Sequence, residues 1–460
     1  MAGNSVRLLK DATENYPAWL AAIRSAERTI YLESYIIYDD DVGAQFAEAL
    51  ATKAREGVLV RLIYDWFGAL GKSSQRLWRS MSSAGVEVRC FNPPRLDSPF
   101  GWLSRDHRKM LTVDSRVGFV AGLCIGRRWA GDPQRGVAPW RDTGVEVRGP
   151  AVADIELAFA HMWSATGELI AERELPRRDA IPPAGGVLLR VIATLPNTAG
   201  LYRLDQLIAA GARQSLWLTD AYFVGTAPYV QALMAAAMDG VDVRLLVPGS
   251  SDIALLRPLS RAGYRSLLEA GVRVFEWNGL MLHAKTAVAD GRWARVGSTN
   301  LNVASWIGNW ELDVAVEDEH FAQAMEQMYL EDLAQSTEIL LSGTQKVRSV
   351  RTPPLRPRSQ RGGGSTTRAA AGAIRIGNTV GAALTNRREL EPAEAKIMVS
   401  GSLLLLVLAV VIVLWPWAVA VPLALLGIWM AVSLLIRAYR LHIQGKREKS
   451  KSPPAHTAPP

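Results

Sequence analysis

Through the first 340 residues, the hydrophobic positions alternate between two periods. Residues 29–38, TIYLESYIIY, are rich in β-branched and aromatic side chains, the composition of a buried strand. Three aspartates at 39–41 then offer a helix cap, and Phe46, Ala47, Leu50 and Ala54 recur at helical spacing up to Gly57. A second strand, VLVRLIYD (58–65), a helix around 73–84 and a third strand, VEVRCF (86–91), follow. Strands alternating with helices predict an α/β domain whose sheet is mostly parallel and covered on both faces.

The series then recurs. SLWLTDAYF (215–223) matches the first strand, YVQALMAAAMDG (229–240) the first helix, and VDVRLLVPG (241–249) the second strand. A helix across 259–270 and VRVFEW (272–277) complete the copy. A repeat this long is a domain duplication, not a short-period solenoid. The pattern predicts two α/β/α sandwich halves, 1–175 and 200–342, that meet face to face. A linker over 176–199, containing PRRDAIPPAGG, joins them.

Beyond 342 the periodicity stops. Residues 343–396 open with a Pro-, Gly-, Ser- and Arg-rich stretch, read as a flexible basic tether. Residues 397–436 are almost continuously apolar and carry no charge. At about 1.5 Å per residue they make roughly 60 Å of helix, twice a bilayer core of about 30 Å. WPW at 415–417 breaks the run near its middle. Two membrane spans, about 397–415 and 417–436, are therefore expected as a hairpin. Arg387, Arg388 and Lys396 precede it and Arg437, Arg440, Lys446, Arg447, Lys449 and Lys451 follow it. Basic residues on both flanks place both on the cytoplasmic side. Residues 437–460 are expected to form a basic, disordered tail.

Composition narrows the function less than the pattern does. Two cysteines, Cys90 and Cys124, exclude a disulfide framework. The N-terminal residues lack the apolar core of an export signal, so no cleaved leader is expected. A net charge of +8 suits anionic lipid and nucleic acid equally. Neither half has the Arg-rich stripe with interleaved aromatics expected of a strand-binding surface, so no nucleic-acid partner is expected.

Chemistry enters at Leu282–Asn302, LHAKTAVADGRWARVGSTNLN. His283 and Lys285 share one face of a strand, an imidazole beside an ammonium, which suits an anionic phosphate. Asp290-Gly291 between apolar runs is a hairpin turn, predicting strands TAVAD and RWARV. The turn returns the chain through Gly297, Ser298 and Asn300 towards His283. Residues 107–114, HRKMLTVD, repeat the motif with His107, Lys109 and Asp114, followed by RVGFVAGLC. Gly122 then stands opposite Ser298, and Cys124 opposite Asn300.

Two HxKxxxxD motifs identify a resemblance to the phospholipase D superfamily, over roughly residues 5–335. The order of segments is most similar to bacterial cardiolipin synthases of the shorter type, without N-terminal membrane helices. The chemistry follows from the residues: one neutral imidazole attacks phosphorus, and a second, protonated, gives its proton to the leaving alkoxide. No metal and no cofactor is required. His107 and His283 are the pair. The resemblance implies that His107 is the nucleophile and His283 the acid/base, an order the residues alone leave open. Lys109 and Lys285 neutralise phosphate oxygens, whereas Asp114 and Asp290, at hairpin bends facing away, support the motif structurally.

Glu311, in NWELDV, resembles the carboxylate that orients a motif histidine, and Asp142, in WRDTGVEV, is its first-half candidate. Ser298 and Asn300 match the GSxN element and are expected to contact phosphate. The first half departs from the Gly-Gly-x-Asn pattern with Ala121, Gly122 and Cys124, the last expected to be a buried small hydrophobe. Glu33 and Tyr222 end equivalent strands and are candidates to line the cleft.

The implied reaction transfers a phosphatidyl group from one phosphatidylglycerol to another, giving cardiolipin and glycerol. The membrane hairpin and basic tether favour this reading, with anionic phospholipids and the bilayer as partners and no obligate protein partner. The implied location is the bacterial inner membrane, with the catalytic domain on the cytoplasmic side. The alternative is a membrane-attached phospholipase D that passes the intermediate to water. A phosphodiesterase acting on nucleic acid and a non-enzymatic membrane scaffold rank below it.

Overall fold

The computed structural model describes residues 1–95, 104–249, 263–341 and 347–349, and in the C-terminal apolar segment 403, 406 and 409–451. The first sheet contains β1 (Ser5–Lys10), β2 (Thr29–Ser34), β3 (Leu59–Asp65), β4 (Glu87–Phe91), β5 (Lys109–Val113), β6 (Val117–Ala121) and β7 (Thr143–Arg148). Its order is β1-β7-β6-β5-β2-β3-β4. The second contains β8 (Leu188–Thr194), β9 (Ser215–Thr219), β10 (Asp242–Pro248), β11 (Arg273–Trp277), β12 (Thr286–Ala289), β13 (Trp293–Gly297), β14 (Glu311–Glu317), β15 (Ser336–Leu341) and β16 (Val347–Ser349). Read from β8 to β11, its order β8-β14-β13-β12-β9-β10-β11 reproduces the first sheet strand for strand, with β15 and β16 added beyond β11.

Three expectations need correction. The sheets are mixed: only β2-β3-β4 and β9-β10-β11 run parallel, because the motif hairpins β5-β6 and β12-β13 insert antiparallel strands beside them. The stretch 176–199 is not all linker, since β8 lies within it and pairs with β14 from Leu188 to Thr194. Its alternation, LLRVIAT, is the counterpart of β1, SVRLLK, and the duplication therefore starts earlier than residue 200. The stretch assigned to the tether contains a strand, Val347–Ser349, paired with β15; 343–346 and 350–396 lie outside the described residues. So do 259–262, and the expected helix there is described as Arg265–Glu269.

Each sheet has helices on both faces. The outer face of the first carries Asp11–Arg24, Asp41–Arg55 and Gln75–Ser83, around a core containing Trp19, Phe46, Leu50 and Leu62. The outer core of the second contains Leu218, Leu233, Leu245 and Trp306. Between the halves, helices Ala151–Thr166 and Glu319–Ala334 share one apolar core that joins Val120, Val145 and Phe159 to Val296, Val314 and Phe321. Burying one core from both halves holds the two motifs at a common seam.

The motif aspartates are hairpin residues. Asp114 and Ser115 have φ of 54° and 57°, and Asp290 and Gly291 have 52° and 61°. Positive φ at both central residues is the type I′ geometry whose twist matches paired strands. Asp114 accepts backbone N–H bonds from Glu27, Arg28 and Thr29 at 2.7–2.9 Å. Asp290 accepts them from Arg213, Gln214 and Ser215 at 2.8–3.1 Å. Each carboxylate thus tethers its hairpin to the start of the neighbouring strand. Asp114→Ala is expected to cost about 3 kcal/mol, since it removes three charge-assisted bonds at a buried position; Asp290→Ala, at the surface, should cost less. Thermal melting of the two variants checks the order, and equal melting temperatures would contradict it.

The helix Pro416–Lys451 is preceded by helical residues 409–414 and a break at Trp415, where Pro416 follows. Pro416–Ile436 is long and apolar enough to cross a membrane, with mean hydropathy 2.5. Most of the expected first span, 397–415, lies outside the described residues. Residues 437–451 continue the helix and are not the start of a disordered tail. Ala, Leu, Gln, Lys and Arg propagate a helix well, and Pro453 is the next stop signal.

Candidate active site

The two motifs meet by a crossed backbone pairing. His107 N–H donates to Trp310 O at 2.9 Å, and Trp310 N–H to Arg105 O at 2.8 Å. Symmetrically, His283 N–H donates to Arg141 O at 2.7 Å, and Arg141 N–H to Met281 O at 2.9 Å. Each histidine is thereby set beside the carboxylate of the opposite half. Asp142 and Glu311 occupy equivalent places: the strand registers match Ala121↔Gly144 with Gly297↔Asp313, and each carboxylate lies two residues earlier. Their different distances from the motif histidines reflect the connection between these strands, which is longer in the first half, where 127–140 stands against 303–309 of the second.

Consequently Glu311 serves His107, not His283, its neighbour in sequence. His107 Nδ1 lies 2.9 and 3.1 Å from the Glu311 oxygens, and His283 Nδ1 lies 2.7 Å from Asp142 Oδ2. All four side chains are buried. Burial holds both carboxylates up, but the facing histidine and lysine outweigh it, and both end below their usual range. Burial depresses the imidazoles to about 4 for His107 and about 3 for His283, against the opposing pull of the carboxylates. At neutral pH the resting pairs are therefore neutral imidazole and carboxylate. The carboxylate can only accept, so Nδ1 carries the proton and Nε2 is left as the basic nitrogen.

Lys109 and Lys285 are buried, and each donates to the carbonyl oxygen of its own motif histidine. Lys285 Nζ also lies 2.9 Å from His283 Nδ1. The proton on Nδ1 belongs to Asp142, because the ammonium has the His283 carbonyl as its acceptor. Burial brings Lys285 down to about 8. Each lysine also acts on the histidine of the other half, Lys285 on His107 and Lys109 on His283, so one charged cleft contains all four. An arriving phosphodiester anion raises both histidine pKa values. Binding of dimethyl phosphate, a diester that stays a monoanion, is thus expected to take up protons near pH 7, and affinity should fall with rising pH, most steeply above about 8 as Lys285 loses its charge. Calorimetry in two buffers of different ionisation enthalpy measures the uptake; pH-independent affinity with no uptake would contradict it.

Ser298 is placed differently from its expected phosphate contact. Its hydroxyl donates to Glu311 Oε2 at 2.6 Å and accepts from Leu312 N–H at 2.9 Å. A hydroxyl has one proton, and here it goes to the carboxylate. Asn309 Nδ2 adds a bond to Glu311 Oε1 at 3.3 Å. Asn300 is buried, with Nδ2 3.4 Å from Ser305 Oγ and Oδ1 without a hydrogen-bond partner. Cys124 is buried, and burial raises its thiol pKa. Glu33 is buried 3.9 Å from Arg108 and next to Asp106, with Lys109 also acting on its carboxyl. Tyr222 does reach the site, its ring 5.9 Å from that of His283 and under Lys285 Nζ.

Several neighbours were not singled out in the sequence. Tyr35 mirrors Tyr222, with its ring 5.0 Å from His107 and 5.2 Å from Lys109 Nζ. Its position one residue past β2 was the available hint. Trp129 and Trp140 stand 5.5 and 6.1 Å from the His283 ring. Arg108, between His107 and Lys109, is buried and donates across the seam to Glu311 O at 3.1 Å and Thr194 O at 3.4 Å. Among the described residues no group of His, Cys, Asp and Glu is arranged to hold a metal ion.

Fold and site together define a duplicated α/β protein that sets two HxK motifs, one from each half, on a common cleft. The chain belongs to the family described as cardiolipin synthase, phospholipase D-like domain, whose model matches residues 19–130 and 205–333, one segment in each half. A cardiolipin synthase of Alkalihalophilus pseudofirmus is 35% identical over 346 residues, covering 74% of this chain and 68% of that one. Cardiolipin synthase A of Pseudomonas fluorescens strain SBW25 is 34% identical over 369 residues, covering 77% and 74%. Among solved structures, a phosphatidylserine synthase from Haemophilus influenzae superposes with a TM-score of 0.57 at 13% identity, over 72% of this chain and 87% of that one. That likeness shows the fold.

Proposed function

We propose that this chain is a phosphatidyltransferase that makes cardiolipin and glycerol from two molecules of phosphatidylglycerol. The observation that carries the reading is the pair of crossed histidine–carboxylate contacts on one cleft, in a chain whose similar relatives are named cardiolipin synthases. His107 Nε2 attacks phosphorus, a P–N bond forms, and the P–O bond to the departing glycerol breaks. His283 Nε2 gives its proton to that oxygen. A hydroxyl of the second phosphatidylglycerol then gives its proton back to His283 as its oxygen attacks phosphorus and releases His107. Lys109 and Lys285 stabilise the charge on the non-bridging oxygens, and Asn300 is the remaining polar candidate for a phosphate contact. Asp142 and Glu311 orient the two imidazoles.

The C-terminal segment is proposed to anchor the catalytic halves to the inner membrane as a two-span hairpin, with the tether and basic flanks on the cytoplasmic side. Apolar Pro416–Ile436 supports one span, and the basic residues on both flanks support the sidedness. A basic flank on anionic headgroups gains about 1 kcal/mol per Lys or Arg near the surface, which would keep the cleft supplied with lipid. Membranes containing the protein, given phosphatidylglycerol labelled in its glycerol headgroup, test the reaction. Cardiolipin with release of labelled glycerol is expected. Phosphatidic acid without cardiolipin would replace the reading by hydrolysis.

A further inference from the structure

We propose that Trp129 is a positioning residue for His283, acting through Asp142, and that it replaces the serine that does this work in the other half. The proposal rests on the two-histidine reading of the site given above. Glu311 is held by Ser298 Oγ, at 2.6 Å from the oxygen that also faces His107. Asp142 has no such serine, because Gly122 stands where the second half has Ser298. Its second donor is the indole of Trp129, whose Nε1–H reaches Asp142 Oδ2 at 3.1 Å. That is the oxygen that accepts from His283 Nδ1 at 2.7 Å. The other oxygen, Oδ1, accepts the N–H of Thr143 at 2.8 Å.

The geometry explains the exchange. A Cβ placed on Gly122 would lie 2.2 Å from Asp142 Oδ1 and 3.0 Å from its carboxyl carbon, far inside van der Waals contact. Aspartate is one methylene shorter than glutamate, so its carboxylate lies close over the strand backbone, and a serine there has no room. The donor must come from elsewhere, and the longer first-half connection, 127–140, supplies it. Arg127–Ala130 forms a short helical turn that carries Trp129, which is buried and packs against Trp140 with ring centroids 4.8 Å apart. The same ring stands nearly perpendicular to the His283 imidazole at 5.5 Å. One indole therefore fixes the carboxylate by its N–H and the imidazole by its ring.

Trp129→Phe removes the N–H and keeps most of the packing. With one donor fewer, Asp142 holds the imidazolium of His283 more tightly and aims it less well. In kcat the expected fall is about tenfold, the scale of one hydrogen bond to a charged group, with KM nearly unchanged. The alkaline limb of the kcat profile, set by His283 as the acid, is expected to move to higher pH. The charged groups facing His283 are Asp142, Lys285 and Lys109, with Tyr222 alongside, and all remain in the variant. Trp140→Phe touches the same ring without bonding Asp142 and should leave the limb in place. Gly122→Ala, which pushes Asp142 aside with Trp129 intact, should lower kcat while the melting temperature shows whether the fold persists.

All profiles are read on whichever product the wild type forms, cardiolipin or phosphatidic acid, so an error about the acceptor does not touch the outcome. Loss of all turnover dependence on His283 would instead remove the site reading itself. A Trp129→Phe enzyme with wild-type kcat and an unmoved limb overturns the proposal. So does an equal shift in Trp140→Phe, which would make the effect one of packing.

Discussion

Replacing His283 by alanine is expected to lower turnover by roughly four to six orders of magnitude, the range seen when one member of a cooperating catalytic group is removed. In the proposed mechanism His283 gives its proton to the leaving oxygen and takes one from the incoming hydroxyl, so both steps fail together. His107→Ala is expected to do the same by removing the atom that bonds phosphorus. Because the two act in one sequence of steps, the double variant should be scarcely slower than either single one. Rates of product formation in vesicles, with melting temperatures to show that the fold persists, provide the check. Either variant with a tenth of wild-type turnover would end the two-histidine mechanism.

Glu311→Gln is expected to cost roughly three to four orders of magnitude in kcat, by the logic of a triad whose acid is neutralised and whose imidazole then adopts the wrong tautomer. The carboxylate accepts from His107 Nδ1, Ser298 Oγ and Asn309 Nδ2. An amide in its place presents an N–H to at least one of these donors. His107 then tends to protonate on Nε2, the nitrogen that must attack. The loss should appear in kcat more than in KM, since no group touching the substrate has changed. A variant in which only KM rises would mean that Glu311 contacts the ligand and does not orient His107. The position of the effect matters too: a change in the second half disables the histidine of the first.

That crossing separates what was legible in the sequence from what was not. HRKMLTVD and LHAKTAVAD announce themselves, because a strand period of two and an Asp at a tight turn act over a few residues. The hairpins and the repeat were readable on that basis, whereas Glu311 and Asp142 came from the family resemblance. The partnering of the carboxylates was not, since His107 and Glu311 are 204 positions apart. Glu311 is nearer in sequence to His283, yet its carboxylate faces His107. The parallel sheet was over-read for a related reason: alternating strands and helices specify an α/β layer but not the direction in which a hairpin joins it. Strand β8 was passed over because Pro and Gly around it marked a linker, while its pairing partner, β14, lies more than a hundred residues on.

Local chemistry by itself determined the two-fold α/β plan, the four motif residues His107, Lys109, His283 and Lys285, the structural task of Asp114 and Asp290, and the apolar C-terminal segment. Tertiary structure decided which carboxylate serves which histidine, that the proton of Ser298 goes to Glu311, and that Trp129 stands in for a serine Gly122 cannot become. The division has one physical cause. Turn and strand preferences are set by neighbours in the chain, whereas the aim of a buried carboxylate is set by the shared core that docks one half on the other.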